Sequence, residues 1–193
     1  MSLDGYIGGA DEADWFTTHE RVLGWVHDLA GWREAQGLAG GEENSSSQII
    51  REQNAGIGAH VMGRRMFDFG NAFWGEDPPF KTPVFILTHR AHEVIEKQGG
   101  TSYHFVTDGI ESAVRRAREA AGARDILVSG GASAVQAALR AGLIDEFQLH
   151  IVPVLLGRGV RLFDQLGDRW IELERTRVVE SPMVMHVRYR VVR

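Results

Sequence analysis

Asp125-Ile126-Leu127-Val128-Ser129-Gly130-Gly131-Ala132-Ser133-Ala134-Val135-Gln136-Ala137-Ala138-Leu139-Arg140 decides the fold class. Its first five residues, with Ile126, Leu127 and Val128 at their centre, read as a buried strand, and from Ala132 the composition turns helical up to the stop at Gly142. The Gly130-Gly131 pair between them lets backbone approach a ligand closely. The N-terminus of the following helix would offer N–H groups and partial positive charge to an anion. A tight turn needing glycine for conformation alone is the plain alternative.

Further units of the same kind lie upstream. Ala59-His60-Val61-Met62 is a buried strand followed by Gly63-Arg64-Arg65, and Pro83-Val84-Phe85-Ile86-Leu87-Thr88 is a continuous apolar strand followed by His89-Arg90. Ser102 to Val106 is another strand. Asp108 and Glu111 have capping-box spacing, and Ile110, Val114, Ala117 and Ala121 keep helical periodicity to Gly122. Strands alternating with helices place ligand groups at the carboxyl ends of neighbouring parallel strands. Three such ends here carry phosphate-suited groups, two of them arginines able to grip a phosphate through two N–H bonds.

Toward the N-terminus, Val22, Trp25, Val26, Leu29 and Trp32 are spaced for one helix over residues 21–36, broken by Gly37 to Gly41. Ser47 is placed to cap a short helix holding Ile49, Ile50 and Gln53. Beyond residue 145, Phe147, Leu149 and Ile151 share one face of a strand. Met183, Met185, Val187, Tyr189 and Val191 alternate in a closing antiparallel hairpin. The pattern predicts a three-layer α/β/α fold with a mixed, mostly parallel central sheet and a C-terminal antiparallel hairpin, organised as one domain over residues 1–193.

Composition narrows the function. A net charge of −5 in 193 residues argues against a general nucleic-acid footprint. Zero cysteines remove disulfides, thiolate metal sites and a cysteine nucleophile, and they fit a cytoplasmic location. No apolar run reaches the roughly 18 to 20 residues needed to span a bilayer. The eight histidines show no zinc-binding spacing, so no metal is expected, and His19, His27, His60 and His150 read as surface or core residues.

Ser2-Leu3-Asp4-Gly5-Tyr6-Ile7, Val61-Met62-Gly63-Arg64-Arg65, Leu87-Thr88-His89-Arg90, Ser129-Gly130-Gly131-Ala132-Ser133, and Pro153-Val154-Leu155-Leu156-Gly157 with Leu162-Phe163 occur in that order. Together they resemble the dihydrofolate reductase-like superfamily, and within it the riboflavin-pathway reductase domain. The resemblance covers nearly the whole chain. It implies an NADPH-dependent reductase that passes a hydride to a small pterin-, pyrimidine- or flavin-precursor-like heterocycle, the nearest named activity being that of 5-amino-6-(5-phosphoribosylamino)uracil reductase. It also implies a homodimer, for which the Met183 to Val191 strand offers a sheet edge.

The cofactor residues implied by the resemblance are Gly63, Arg64 and Arg65 on the pyrophosphate and 2′-phosphate, with Thr88, His89 and Arg90 beside the adenosine ribose phosphate. Gly130, Gly131, Ala132 and Ser133 would seat the pyrophosphate by backbone, with a cis Gly130–Gly131 peptide common in the family, and Ile7 and Gly8 would border the nicotinamide. Asp4 is the candidate for substrate contact or proton relay, the alternative being a carboxylate that bonds loop amides. Tyr6, Ser47, Trp74, Leu156 and Gly157 are the candidate substrate residues, with Trp74 and Phe80 as possible walls for a flat ring.

Two departures qualify the resemblance. An ungapped count back from Arg64 puts Ser47 where dihydrofolate reductases carry an acid, which disfavours folate reduction unless Asp4, Asp14 or Glu43 supplies the charge. Only Met1 precedes the Ser-Leu-Asp-Gly motif, so a central strand looks truncated: either the sequence omits its beginning or the sheet tolerates a short first strand. The other readings are a non-catalytic NADPH-binding module and dihydrofolate reductase proper.

Overall fold

The computed structural model describes residues 1–168 and 170–193, apart from the side chains of Glu12 and Ala13. In chain order the elements are β1 (Tyr6–Gly8), α1 (Glu12–Leu23), α2 (Ala30–Ala35), α3 (Ser45–Ala55), β2 (Ile57–Gly63), α4 (Arg64–Trp74), β3 (Pro83–Leu87) and β4 (Ile95–Glu96). There follow β5 (Ser102–Val106), α5 (Ile110–Ala121), β6 (Asp125–Gly130), α6 (Ala132–Arg140), β7 (Glu146–Ile151), β8 (Val160–Arg161), β9 (Leu173–Glu180) and β10 (Met185–Val191). The chain divides into two compact units. Unit 1 holds Met1–Glu52 with Ile144–Arg193, and unit 2 is Gln53–Leu143.

Unit 2 is built on a five-stranded sheet of order β4-β5-β3-β2-β6, parallel throughout except for β4. Met62, Val84, Ile86 and Tyr103 pack with Phe67 of α4 in one core cluster. Ala59, Val61 and Phe85, which alternate with them, are buried too, and α5 packs against β2 and β3. Apolar strand runs without alternation therefore mean, as expected, strands covered on both faces. β6 is the exception: it lies at the edge of its sheet, and Ile126, Leu127 and Val128 are only half-buried.

Two local expectations in unit 2 give way. α4 follows β2 without a loop, so Arg64 and Arg65 are its first residues, although Met66, Phe67, Gly70 and Trp74 already carried helical spacing. The Asp108–Glu111 capping box does not form. Gly109, at φ 96°, holds the cap position, and the Asp108 carboxylate instead accepts from the Ser112 hydroxyl at 2.8 Å and pairs with Arg116 at 3.2 Å.

Unit 1 carries an antiparallel three-stranded sheet of order β7-β10-β9 and a two-stranded pairing of β1 with β8. The predicted helix over 21–36 is broken: α1 ends at Leu23, a 3₁₀ turn covers Gly24–Val26, and α2 starts at Ala30. Trp25, Val26, Leu29 and Ile50 still meet in one core with Val152 and Val184. Asn44, not Ser47, caps α3, its side-chain oxygen accepting from the Ser47 amide at 3.1 Å.

The C-terminal hairpin is present, with two corrections. β10 is paired on both sides, by β7 and β9, so it has no edge to offer a second copy; the outer strands of that sheet are β9 and β7, the latter bonded by Met1 at His150 O and Val152 N. A register irregularity between Arg188 and Tyr189 also breaks the expected alternation. Met183 and Met185 face outward at 62% and 37% exposure, while His186 is buried at 2%.

Candidate functional site

In unit 2 the three strand ends singled out in the sequence lie side by side. β2 is hydrogen-bonded between β3 and β6, with Gly63 opposite Leu87 and Met62 opposite Gly130. Parallel register therefore brings Gly63-Arg64-Arg65, Thr88-His89-Arg90 and Gly130-Gly131 to one end of the sheet. A Cβ placed on Gly63 would stand 3.7 Å from the Gly131 nitrogen and 3.8 Å from Ser133 Oγ, so the two glycine-bearing turns are close neighbours. Gly130 has φ 116°, a conformation that side-chain-bearing residues avoid, and its bond to Gly131 is cis.

α6 begins at Ala132 with Gly131 as its N-cap and no side chain bonded into that cap. The Ala134 and Val135 amides bond the Gly131 carbonyl, which leaves the Ala132 and Ser133 amides at the helix start to meet an incoming anion. Arg65, His89, Arg90 and Ser133 are exposed, Arg64 is half-buried, and Thr88 Oγ1 accepts from the Arg90 amide at 3.1 Å. Beneath the turn, His60 Nδ1 lies 2.9 Å from Ser129 Oγ, and burial pushes the His60 ring down to about 4. This histidine braces β6 against β2 from inside the sheet, as the core reading anticipated. Glycine backbone, helix amides and three guanidiniums form a donor set suited to the phosphates of a dinucleotide.

The candidate catalytic and substrate residues of unit 1 make a set of structural contacts. Asp4 Oδ1 accepts from the Ser2 hydroxyl at 2.7 Å and the Leu156 amide at 3.1 Å, and Oδ2 accepts from the Gly157 amide at 2.8 Å. The Ser2 bond foremost, with the Gly157 and Leu156 amides, holds the carboxyl down at about 2 against its partial desolvation. A carboxylate so occupied stays ionised and holds no proton to relay at neutral pH. This is the loop-amide alternative. Tyr6 is buried, Arg161 lies over its ring at 4.7 Å, and its hydroxyl donates to Gly157 O at 3.4 Å. Gly8 and Gly159 are in backbone contact: a Cβ on Gly159 would sit 2.3 Å from Gly8 O. Ile7, between them on β1, is half-buried. Asp4, Tyr6 and Gly8 thus fasten the segment 156–161.

Ser47 is fully buried, and its hydroxyl accepts from the Gly31 amide at 2.7 Å, joining α2 to α3. Glu43 is exposed in a cluster with Arg51 and Glu34, and Asp14 pairs with Arg158 at 2.9 Å. In unit 2, Trp74 is half-buried, packs edge-on to Phe80 at 4.7 Å and over Gly70, and lies against the Phe67–Tyr103 cluster. A depression of about 490 Å³ in unit 1 is lined by Glu20, Arg21, Trp25, Asp28, Val154 and Met183 among others, and by none of the expected substrate residues.

One constellation escaped the sequence. His150 and His186 meet Nδ1 to Nδ1 at 2.6 Å, and His186 Nε2 lies 2.8 Å from Ser46 Oγ. Trp25 packs against both rings at 5.3 and 5.4 Å. Burial foremost lowers both imidazoles, with the neighbouring positive charge a second cause, and His150 falls to about 3. A neutral pair satisfies this contact with one proton, one ring donating and the other accepting. These residues come from β7, β10 and the start of α3, and no sequence spacing links them. Among the described residues no group of three or more possible metal ligands occurs.

A mostly parallel sheet with phosphate-suited groups at three adjoining strand ends, followed by an antiparallel hairpin, defines a fold of the dihydrofolate reductase-like class. The family is narrower still: residues 1–187 match the RibD C-terminal domain, and the chain belongs to that family. It is 31% identical over 138 residues to YyaP, an uncharacterized protein of Bacillus subtilis strain 168, covering 66% of this chain and 71% of the relative. The whole chain matches, at TM-score 0.71 and 24% identity, 96% of a Shewanella sp. PV-4 protein assigned provisionally to riboflavin biosynthesis. It also matches, over 99% of its length at TM-score 0.59 and 14% identity, 54% of the Thermotoga maritima diaminohydroxyphosphoribosylaminopyrimidine deaminase/5-amino-6-(5-phosphoribosylamino)uracil reductase. At these identities the solved structures speak for the fold. No helix among the described residues is long and apolar enough to cross a membrane.

Proposed function

We propose that this chain is an NADPH-dependent reductase of a small heterocycle of the pterin, pyrimidine or flavin-precursor type, acting as one domain in the cytoplasm. The observation that carries the reading is the side-by-side placement of Gly63-Arg64-Arg65, Thr88-His89-Arg90 and Gly130-Gly131 at one end of the unit 2 sheet. The arginines would hold the 2′-phosphate, and the Gly131 to Ser133 backbone would seat the pyrophosphate. Bound NADPH supplies the hydride. Asp4 acts as a positioning residue that fixes the Leu156–Gly157 backbone, leaving proton delivery to water or to the substrate itself. Asp4→Asn, which keeps the shape and loses the charge, lowers kcat/KM about tenfold in this reading. A homodimer would form through the β9 edge, since β10 is already paired on both sides.

Calorimetric titration with NADPH and NADH tests the cofactor. NADPH binds more tightly, and Arg64→Ala or Arg90→Ala removes about 10- to 100-fold of that affinity, the worth of a charge-assisted pair. If neither dinucleotide binds, the reading fails. A non-catalytic NADPH-binding module is the second reading, favoured by one observation: Asp4 and Ser47 are both committed to backbone amides. NADPH oxidation against a panel of pterins, aminopyrimidines and flavin precursors separates the two. Folate reduction is the weakest of the named activities, because the buried Ser47 hydroxyl cannot supply an acid's charge.

A further inference from the structure

Arg64 is held more firmly than a first-turn arginine needs to be. Its Nε donates to Asp68 Oδ1 at 2.7 Å one helical turn along α4, and its Nη1 lies 2.7 Å from His92 Nε2 in the segment after β3. The guanidinium carbon stands 5.8 Å from the Phe67 ring centre and 5.7 Å from that of Phe105 on β5. The His92 ring in turn packs on Phe105 at 4.7 Å. Three segments therefore fix one planar cation, and Nη2 takes no part in these bonds.

A guanidinium is always a donor, so His92 Nε2 must present its lone pair, and the ring is then neutral with its proton on Nδ1. That choice of acceptor matters. A second carboxylate at this position would orient the fork and also cancel its charge. A neutral imidazole orients it at no cost in charge, so the remaining N–H groups keep their pull on an anion.

We propose that His92 is a positioning residue for Arg64 and that, through it, His92 sets the preference for a 2′-phosphorylated dinucleotide. The proposal rests on the cofactor reading above. An arginine without its brace must be immobilised when the phosphate arrives, and the ordering of one long side chain is worth several-fold in affinity.

The test is titration of the wild type, His92→Ala, His92→Gln and Arg64→Ala/His92→Ala with NADPH and with NADH at one ionic strength. Gln places a neutral acceptor near the position of Nε2. The Ala variant should lose about five- to tenfold in NADPH affinity with NADH changed less than about twofold, and Gln should restore most of the loss. In the Arg64→Ala background the His92 substitution should cost nothing further. An Ala variant that binds NADPH like the wild type, a parallel fall for both dinucleotides, or additive losses in the double variant each overturns the role of His92 while the cofactor reading stands. A wild type with no preference for NADPH overturns both, and shows it before any variant is made.

Discussion

Unit 2 is one uninterrupted stretch of chain, while unit 1 joins two stretches from opposite ends of the sequence. In unit 2 a strand and the groups at its end are consecutive residues: Met62 leads to Gly63 and Arg64, Leu87 to Thr88, Ser129 to Gly130. The site there could be read along the chain. In unit 1 Asp4 bonds Leu156 and Gly157 as well as the nearby Ser2, the partners of His186 are Ser46 and His150, and Gly8 meets Gly159. Long-range pairings of this kind leave no periodicity behind, so the sequence could name Asp4 as a candidate for substrate contact, proton relay or loop-amide bonding but could not show its partners.

Acid should separate the units most strongly. His150 and His186 in unit 1 and His60 in unit 2 are all held below the ordinary imidazole value by burial. Above about pH 6.5 each is neutral in both folded and unfolded chains and adds no slope. Below it the unfolded chain takes up protons that the folded chain refuses, so stability falls by up to about 1.4 kcal/mol per pH unit for each histidine. The loss continues to about pH 4 for His60 and about pH 3 for His150. Hydrogen exchange from pH 7.5 to 4.5 should show β7 and β10 losing protection more steeply than β2. Equal slopes would break the comparison.

His186→Ala is next in size. It leaves Ser46 Oγ and His150 Nδ1 without this partner and opens a cavity beside Trp25, at a cost of about 3–4 kcal/mol in urea melts. NADPH affinity measured on the folded variant should not change, because the phosphate-suited groups belong to unit 2. Ser47→Ala should cost about 1–2 kcal/mol by the same assay, the price of a buried Gly31 amide without its acceptor. A loss of turnover with no loss of stability in that variant would return Ser47 to the substrate site. Ser133→Ala is the smallest and the converse case: about threefold weaker NADPH binding and an unchanged melt, since its exposed hydroxyl touches only a ligand in this reading.

The helices show the same division. α5 and α6 were legible from periodicity and glycine stops. α4 was not, although Met66, Phe67, Gly70 and Trp74 had the spacing, because the strand before it runs into it without a turn signal and its first residues read as a strand end. The break of the expected 21–36 helix at Gly24 left Trp25, Val26 and Leu29 in one core, with Trp32 packed against it, so much of the burial pattern survived while the element did not.

The sequence by itself determined the class of the fold, the strand-to-glycine turns and the phosphate-suited residues at the strand ends, because hydrophobic period, turn chemistry and charge are all properties of neighbouring residues. Only the tertiary structure decided that Asp4 and Ser47 are bonded to amides, that β10 is interior between β7 and β9, that His150 and His186 meet in a core, and that His92 lies at hydrogen-bonding distance from Arg64. Each of these depends on which distant backbone or side chain arrives at hydrogen-bonding distance. That is fixed by the packing of the whole chain, and no local pattern encodes it.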